Sequence, residues 1–502
     1  MNVIKKIIVA AILAFFVTLP CRAFEIPDST VSYAVEFNSS VSTGETTPFW
    51  LVANRYGLSS LESWNGYLRA GIFKHKKYDR RFDWEVGADL AVPYGYSSSF
   101  LIQQLYAGVR YRSLNLTIGS KQWQSGVVDP NLSSGDMVLS TNARPVPQIH
   151  LEMPHYNYVP FTKKWLAVRG YFSMGMCTDE KWERNRAGAG ASWVENRLFH
   201  TKGLFLRGFN PDNSPITVEG GLEMASHWGG TIHAVDRYTK EPYTVEIPHG
   251  FKDMLKMIIG KGGGNSADPH QQGEILNAAG NHVGQWSLAV NWAPKNLDWK
   301  VRAYYEHYFE DHSMMFFDHA WKDMLLGVQV EFPKNPIISK FVYEYINTKD
   351  QSGAVYWDIT PEIPSQVSGR DSYYSHYLYT GWQHWGMGQG NPLLISPIYN
   401  TPGQYDSYNF MNNRIKGHHI GFEGSPLRDL NYRVLLTYTR SWGSYDMPAR
   451  YLRYNFNGLV EMNYHPSRFP GWNAKLGIGF DVSDLVGDNF GAMLTITKTG
   501  WL

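Results

Sequence analysis

Apolar and polar residues alternate one by one along much of the chain. The clearest example is RFDWEVGADLAVPYG, residues 81–95. Its apolar side chains are those of Phe82, Trp84, Val86, Leu90 and Val92, and its carboxylates are those of Asp83, Glu85 and Asp89. Because successive side chains of a β-strand point to opposite faces, the segment predicts a strand with one apolar face and one acidic face.

The same alternation recurs throughout the sequence. Four further long segments show it: residues 216–228, 297–310, 451–465 and 472–482. Shorter runs lie near Tyr67, Tyr106, Leu116, Val168, Phe205, Leu288, Val328, Tyr343, Phe422, Val434 and Leu494. The period of two residues therefore predicts about sixteen strands, give or take two or three. The last run reaches the final residue, which suits a barrel that closes on its own end.

The length of these segments separates two folds that share the alternation. The better segments run for nine to thirteen residues, whereas strands of soluble proteins usually have about 5–6. A tilted strand that crosses a membrane needs about 9–11 residues. A soluble β-sandwich buries its apolar face and exposes its polar face with the same period, so the length favours a barrel in a membrane.

Aromatic residues at the ends of the apolar rows favour the same fold. They are Trp165, Trp228, Trp292, Trp299, Tyr464 and Trp472, and membrane barrels carry aromatic girdles at both interfaces. Only 18% of the residues are charged, below the roughly 25% of soluble proteins. We therefore predict an all-β protein, a transmembrane antiparallel barrel of the outer membrane with about 16–18 strands, whose apolar rows face lipid.

The polar rows would then face the lumen and form a charge network there. Its predicted members are Asp83, Glu85, Asp89, Arg302, Glu306, Arg453 and Glu461. Both signs are present, with Arg302 beside Glu306 and Arg453 near Glu461. Such rows can cross-link into a filled interior instead of leaving an open pore.

The first residues, MNVIKKIIVAAILAFFVTLPCRAF, have the order of a secretory signal peptide. Lys5 and Lys6 precede an apolar core, and small residues at Cys21 and Ala23 offer a cleavage site. A lipoprotein signal at Cys21 is the weaker alternative. We predict a signal peptide at 1–23 and a single barrel domain at 24–502, which leaves Cys177 without a partner for an intramolecular disulfide.

One region interrupts the strand pattern. In IPHGFKDMLKMIIGKGGGNS, Phe251, Met254, Leu255 and Ile258 recur at spacings of three and four. This spacing predicts a short amphipathic helix, within a long loop, that folds over the mouth of the barrel. The GKGGG that follows is not a phosphate-binding loop, because Lys261 is not followed by Ser or Thr.

A second irregular stretch, residues 373–405, is rich in aromatic and amide side chains. Aromatic faces can stack on sugar rings while amides bind their hydroxyls, so the candidate polysaccharide ligands are Trp382, His384, Trp385, Gln389 and Asn391. The alternative is that these residues pack in loops or lie at a membrane interface.

Motifs for catalysis or metal binding are missing from the sequence. We find no Gly-x-Ser-x-Gly elbow and no His-Glu-x-x-His. HYFEDH, residues 307–312, could supply metal ligands on paper, but side chains diverge where a strand enters a turn. A glycosidase pair could stand among the lumenal carboxylates, although an ion network explains them better. We predict no enzyme activity, no metal and no cofactor.

The stretch LTIGSKQWQSGVVDPNLSSGDMVLSTNARPVPQIHL, residues 116–151, resembles the signature of the Wzi-type capsule-assembly outer-membrane family. Its core is LSTNARPVP, with the motif residues Asn142, Arg144, Pro145 and Pro147. TPFWLVANRYG, AYYEHYFEDHS and YTGWQHWGMGQGNPL resemble Bacteroidetes-like members, so the likeness covers nearly all of the mature chain. It implies an eighteen-stranded outer-membrane barrel that organises surface capsular polysaccharide in the manner of a lectin.

The sequence departs from the family in two places. Too few residues follow Phe24 for the periplasmic helical bundle of some members, and the family's Trp-Gly-Pro turn is Gln124-Ser125-Gly126 here. Two roles remain open for Arg144, which is followed by two prolines within three residues. It could anchor a loop to lumenal carboxylates or contact a ligand directly.

Together these features predict a non-enzymatic outer-membrane protein of a Gram-negative bacterium. Its partners would be capsular polysaccharide, bound at the outer mouth, and membrane lipid, and it would act as a monomer. The net charge of +1 gives no reason to expect nucleic acid as a partner. The alternatives are an outer-membrane diffusion channel or transporter, which needs an open lumen, and a secreted all-β enzyme acting on carbohydrate.

Overall fold

The chain folds into a closed barrel of eighteen antiparallel strands. The computed structural model describes residues 31–77, 81–187, 192–236, 239–260, 280–310, 322–333, 335–351, 356–357, 367–368, 372–376, 379–402 and 408–502. The predicted signal peptide at 1–23 lies outside these residues and stays a prediction.

The barrel strands are numbered here in chain order. They are β1 (Val31–Thr43), β2 (Trp64–Lys77), β3 (Phe82–Tyr94), β4 (Leu101–Tyr111), β5 (Leu114–Ser120), β6 (Gln148–Tyr158), β7 (Leu166–Met176), β8 (Leu198–Gly208), β9 (Ile216–Trp228), β10 (Asn281–Trp292), β11 (Lys300–Glu310), β12 (Met324–Glu331), β13 (Lys340–Asn347), β14 (Ile415–Leu427), β15 (Leu430–Gly443), β16 (Pro448–Tyr464), β17 (Trp472–Ser483) and β18 (Asn489–Trp501).

Pairing of the first strand with the last closes the sheet. β1 pairs with β2 on one side and with β18 on the other, in a register that runs from Ser32 opposite Trp501 to Thr43 opposite Phe490. Closure leaves no edge of unpaired backbone groups, which is the condition for a sheet in hydrocarbon. The predicted all-β barrel is confirmed, with the strand number that the family resemblance implied.

Two of the eighteen strands are absent from the sixteen runs of alternation. β6 follows the LSTNARPVP motif, contains Pro154, and has a register shift between Met153 and Asn157 where it pairs with β7. β1 is polar in its second half, FNSSVST. Both segments pair as β-strands, but their apolar and polar residues alternate only weakly, so the pattern did not identify them.

The two faces of the sheet have the polarity that the alternation predicted. In β3, Phe82, Val86, Leu90 and Val92 are exposed on the outside, and Trp84 is half-buried there. Asp83 and Asp89 are buried in the lumen. An apolar outside suits contact with hydrocarbon, and the acids are shielded inside the barrel.

The two ends of the barrel differ in the length of their connections. At one end, the short-turn end, the connections have two to eight residues. At the other, the long-loop end, five connections have twenty residues or more: 44–63, 121–147, 177–197, 229–280 and 348–414. In bacterial outer-membrane barrels, short turns lie on the periplasmic side and long loops on the outside of the cell.

Five of the six predicted girdle residues lie at the short-turn end. Trp165, Trp292, Trp299, Tyr464 and Trp472 are all exposed there. The prediction is wrong for Trp228, at the opposite end of β9, which is buried. Its ring is covered by a helix, so it does not reach the membrane interface.

That helix is the amphipathic helix predicted from the spacing of its apolar residues. The helices in the loops are α1 (Phe49–Val52), α2 (Glu180–Ala187) and α3 (Phe251–Ile258). α3 does not fold over the mouth as predicted, because its Met257 packs against Leu198 and Trp228 on the outer face of the wall. Phe251 stays 71% exposed, so α3 extends the apolar outer surface at the long-loop end.

Small elements complete the long-loop end. A three-stranded sheet is formed by Trp193–Glu195, Gly230–Val235 and Pro242–Ile247. The pair Gln383–His384 and Met387–Gly388 forms a tight hairpin. No helix among the described residues combines the length and hydropathy needed to cross a membrane.

The outward rows make a depth-dependent prediction. Ile72, exposed in β2 opposite Ala88 at the middle of β3, should lie near the bilayer centre. Ile72→Arg should therefore cost about 2–4 kcal/mol of folding free energy, measured by urea titration in phospholipid vesicles. The control is Leu427→Arg beside the two-residue turn, which should cost about 0–1 kcal/mol. Equal costs would contradict the orientation of the outer face.

Candidate functional site

Loops from the long-loop end enter the lumen and form a plug. We define the plug as the described residues of loops 44–63, 121–147 and 348–414. Its apolar side chains form one buried cluster with lumenal residues of the wall. Members from the plug include Phe49, Trp50, Leu51, Leu132, Met137, Val138, Tyr373, Tyr374, Trp382, Leu393, Leu394, Ile395 and Phe410. The plug therefore has its own hydrophobic core inside a polar barrel.

Carboxylates of the wall hold the plug by accepting hydrogen bonds from its backbone. Glu344 accepts from Ser134 N at 2.8 Å, and Glu306 accepts from Met137 N at 3.1 Å. Asp481 accepts from Phe49 N at 3.0 Å. These acceptors satisfy N–H groups of irregular backbone that would otherwise be buried without a partner.

Loop 121–147 reaches furthest into the lumen. Asp129 forms an ion pair of 2.9 Å with Lys340, the first residue of β13 at the short-turn end. Arg302 of β11 donates to Val127 O at 3.2 Å. Since the loop starts at β5 and contacts β11 and β13, it crosses the lumen from one wall to the other.

The acids of β3 face the lumen, and each has a cation beside it. Asp83 pairs with Arg110, and Glu85 pairs with Lys121. Asp89 accepts from Arg69 at 2.5 Å. These pairs link neighbouring strands of the wall to each other and, through Lys121, to loop 121–147.

The two ion pairs expected from sequence spacing do not form. Arg302 pairs with Glu219 of β9 at 2.9 Å, while Glu306 accepts from the plug backbone. Arg453 donates to Asn412 at 3.2 Å. Glu461 instead pairs with Arg433 and Arg55. Residues four or eight apart on one strand share a face, but partners come from neighbouring strands and from the plug, which are closer in space.

The family motif lies at the centre of the plug. Asn142 is fully buried, accepts from Asn54 N at 3.1 Å, and donates to Gly388 O at 2.9 Å. The carbonyl of Pro145 accepts from Ser120, and that of Pro147 accepts from Met176 N. The motif therefore joins three plug segments, and Asn142 is the residue that links them.

Arg144 has a different role from the predicted anchor to lumenal carboxylates. Its guanidinium lies 4.4 Å from the centre of the Trp385 ring, in a cation–π contact. Its backbone carbonyl accepts from His384 Nδ1 at 2.9 Å. Burial lowers the pKa of Arg144 to about 10, so the group stays charged at neutral pH.

Four of the five predicted polysaccharide ligands are buried in the plug. Trp382, His384, Gln389 and Asn391 are at most 4% exposed. Trp382 donates to Val138 O at 2.8 Å, and Asn391 donates to Gly135 O at 2.6 Å. Their aromatic and amide groups serve packing and internal hydrogen bonds in this structure, and their role as polysaccharide ligands stays a prediction. Burial also lowers the pKa of His384.

Trp385 is the exception among the predicted ligands, since it is half-buried at the tip of the tight hairpin. Its φ is +58° and that of Gly386 is +80°, the pair of positive angles found in a type I′ turn. A bulky residue is uncommon in this left-handed region. Strain of this kind often marks a functional position.

We define the cap as the described residues of loop 177–197, the three-stranded sheet and the tight hairpin Gln383–Gly388. A buried charge cluster that the sequence analysis did not identify fixes this cap above the plug. Arg197 donates to Asp179 at 2.9 Å and to Glu183 at 2.7 Å, and all three residues are buried. The four-residue spacing of Asp179 and Glu183 across the start of α2 was a usable signal. Arg197, fourteen residues further on, could not be paired with them from sequence.

The cluster has two carboxyl groups and one guanidinium group, and the pKa values of the two carboxyl groups shift in opposite directions. Burial raises the pKa of Glu183 to about 7, with repulsion from Asp179 adding to the effect and Arg197 opposing it. Burial would raise the pKa of Asp179 as well, but Arg197 outweighs it and the pKa is lowered. Below pH about 7 the cluster therefore holds a proton on Glu183, while Asp179 stays ionised beside Arg197.

Cys177, Asp179 and His384 form the group of possible metal ligands found among the described residues. Their geometry does not suit an ion. Asp179 already binds Arg197 through both carboxylate oxygens, and burial raises the pKa of the Cys177 thiol to about 12. A metal would require the thiolate and would sit beside a guanidinium.

A second half-buried tryptophan stands on the cap. The ring of Trp193 stacks on His233, with centroids 4.0 Å apart and planes at 12°. Trp193 and Trp385 both pack against the same buried group, Trp182, Ala187 and Tyr408. The sequence prediction missed Trp193, because it lies in a short segment without strand periodicity.

No protein-family model and no curated protein matches the chain. Among solved structures, it is similar to Wzi of Escherichia coli, an outer membrane protein involved in group 1 capsule assembly and described as a carbohydrate-binding β-barrel. The identity is 12%, the TM-score is 0.55, and the likeness covers 92% of this chain and 83% of that chain.

The chain is also similar to OccK5 (OpdH) of Pseudomonas aeruginosa, with 9% identity, a TM-score of 0.48, and coverage of 95% of this chain and 98% of that chain. OccAB4 of Acinetobacter baumannii gives 9% identity and a TM-score of 0.46 over 96% of this chain and all of that chain. At such identities the likeness to Wzi shows the fold, a barrel of the outer-membrane type.

Removing the cation of the buried cluster should destabilise the cap. Arg197→Met leaves Asp179 and Glu183 buried without a counter-charge, which should cost about 3–5 kcal/mol of local stability. Hydrogen exchange of peptides from residues 177–197 would measure the loss. The control is Arg433→Met, because Glu461 keeps Arg55 at 3.2 Å. Equal protection in the two variants would contradict the role of Arg197.

The raised pKa of Glu183 predicts how the stability of the cap depends on pH. Between its ordinary pKa of 4.5 and about 7, the folded cap keeps a proton that the unfolded segment has released. Stability should therefore fall as pH rises through this window, by up to about 3 kcal/mol, and level off above it. Exchange rates corrected for intrinsic pH dependence would show it. Glu183→Gln should flatten the profile, and a flat wild-type profile would refute the assignment.

Proposed function

We propose that the protein is an outer-membrane barrel of a Gram-negative bacterium that binds and organises capsular polysaccharide at the cell surface, without catalysing a reaction. The observation that carries this proposal is the plug. Loops from the long-loop end fill the lumen, pack into a hydrophobic core, and present half-buried aromatic rings on the cap. In this proposal the barrel holds its loops in a fixed position, and the surface of these loops binds the polysaccharide.

The plug favours this function over the alternative of a diffusion channel or transporter. A channel needs a continuous aqueous path, whereas loop 121–147 crosses the lumen and is bound to β11 and β13. Trp50 of loop 44–63 adds a contact to β15, two strands from β13, since its Nε1 donates to Thr437 at 3.1 Å. Opening the lumen would require many buried hydrogen bonds to break together.

The rings of Trp193 and Trp385 are the surface best suited to a polysaccharide. Each side chain is half-buried, so the cap holds it in place while part of it stays accessible to solvent. Arg184 lies 5.6 Å from the Trp193 ring centre, and Arg144 lies 4.4 Å from that of Trp385. Aromatic faces beside guanidinium groups suit sugar rings, whose C–H surfaces stack while their hydroxyl or acidic groups bind the cations.

Two likenesses support the proposal independently. The LSTNARPVP core resembles the Wzi-type family, and its Asn142 is the link at the centre of the plug. The structure is similar to that of Wzi of Escherichia coli, which is described as carbohydrate-binding. The enzyme alternative has less support, because wall carboxylates such as Glu306 and Glu344 are bound to plug backbone.

The proposal predicts that capsule retention depends on the two rings. Cells without the gene should shed capsule into the medium, and the intact gene should restore attachment. Trp193→Ala and Trp385→Asn should each weaken binding of purified capsular polysaccharide about tenfold, a loss of about 1.4 kcal/mol. Asn tolerates the positive φ at residue 385 and keeps the turn.

Trp501→Ala is the matched control, since Trp501 is exposed at the opposite end of the barrel. It should bind polysaccharide like the wild type. Capsule that stays fully attached in the deletion strain would refute the proposal. Steady large currents through the protein in planar bilayers would favour the channel instead.

A further inference from the structure

A second candidate site lies inside the barrel, away from the cap. It is a cavity of about 470 Å³ between loop 121–147 and the walls of β6, β7 and β8. Its position in the lumen follows from its lining. Arg169 is the fourth residue of β7 from the short-turn end, and Arg207 is next to last in β8 at the same end. The cavity therefore belongs to the short-turn half of the lumen, below the core of the plug.

The cavity contains two arginines without a carboxylate partner among the described residues. Arg169 donates to the carbonyl of Ser125 at 2.7 Å, and Arg207 makes a cation–π contact with Tyr156. Arg207 Nε is buried and has no hydrogen-bond partner in the described part of the chain. A buried cationic donor without an acceptor is costly, so these groups are suited to receive an anion.

The nearby acids are already engaged. Glu219 pairs with Arg302 at 2.9 Å. Glu152 accepts from Trp123 Nε1 at 2.9 Å and lies 3.6 Å from His150. Glu152 also lines the cavity, so its lining carries two guanidinium groups and one carboxylate, which leaves a net positive charge.

Aromatic rings form the rest of the lining. The centre of the Tyr156 ring lies 5.3 Å from the guanidinium of Arg169 and 4.5 Å from that of Arg207. Trp123 and Tyr171 also line the cavity, with ring centroids 4.6 Å apart. The volume falls within the roughly 300–1,000 Å³ of small-molecule sites.

We propose that this cavity binds a saccharide unit bearing an anionic group, with Arg169 and Arg207 on the carboxylate or phosphate and Trp123 and Tyr156 against the ring. Arginine is suited to both anions, because its planar fork donates two parallel hydrogen bonds. The aromatic rings add the apolar faces that a sugar requires and that a free inorganic ion would not use.

The site is separate from the cap rings of the proposed function. Trp193 and Trp385 lie at the long-loop end, whereas the cavity is lined from the short-turn half of the wall. In outer-membrane barrels the short turns lie on the periplasmic side, so the cavity is in the periplasmic half of the lumen. Failure of one site would leave the other intact.

Calorimetric titration of the detergent-solubilised full chain tests the proposal. The probes are glucuronate and glucose 6-phosphate as anionic sugars, glucose as the neutral sugar, and acetate and inorganic phosphate as ions without a ring. At least one anionic sugar should bind at least tenfold more tightly than glucose and than its matching ion. Arg207→Gln should abolish that preference, because it removes a cation that has no ion pair to lose.

Arg453→Gln is the control, since Arg453 is a lumenal arginine outside the cavity that donates to Asn412. It should bind like the wild type, and thermal unfolding should be equal in both variants. A wild type that binds glucose equally well, prefers the bare ions, or binds none of the probes would overturn the proposal. So would an Arg207→Gln variant that keeps the preference.

Discussion

The structure depends on hydrogen bonds from buried loop backbone to carboxylates of the barrel wall. Irregular loops cannot enter a closed lumen unless their N–H groups find acceptors there, because unpaired groups are costly away from water. Glu344 and Asp481 supply such acceptors to Ser134 and Phe49, and Glu306 supplies one to Met137. These bonds allow three loops to pack an apolar core within a wall whose inner face is polar. Because these hydrogen bonds hold the loops in the lumen, the loops can form the plug and support the cap above it.

The barrel itself could be predicted from sequence because its signal is local and repeated. Each outward residue must suit hydrocarbon and each inward residue must suit the lumen, so a segment such as Phe82–Tyr94 shows its orientation without reference to the rest of the chain. The signal weakens where a strand has another constraint. β6 must carry both Pro154 and a register shift, and β1 ends in small polar residues beside loop 44–63. Those are the two strands that alternation alone did not yield.

The candidate site could be predicted only in part, because its geometry comes from contacts that are distant in sequence. Asn142 and Gly388 are hydrogen-bonded across 246 positions, so the family motif and the later aromatic stretch were identified separately but not as one structure. Composition indicated aromatic and amide groups, but it could not distinguish Trp382, which fills the plug, from Trp385, which lies at a turn with positive φ. Opposite charges on one strand were equally ambiguous. Arg302 forms an ion pair with Glu219 on another strand, and Glu306 accepts a hydrogen bond from the backbone of the plug.

The charged groups of the lumen differ in whether a partner of opposite charge lies beside them. In the half nearer the long loops, acids are satisfied by plug backbone, and Arg197 neutralises part of the Asp179–Glu183 pair, so charge there stabilises structure. In the half nearer the short turns, Arg169 and Arg207 form no ion pair among the described residues and line a cavity together with Trp123 and Tyr156. Arg69, by contrast, pairs with Asp89. The place of Arg169 and Arg207 beside aromatic rings, in a cavity of ligand size, is the reason for proposing an anionic-saccharide site there.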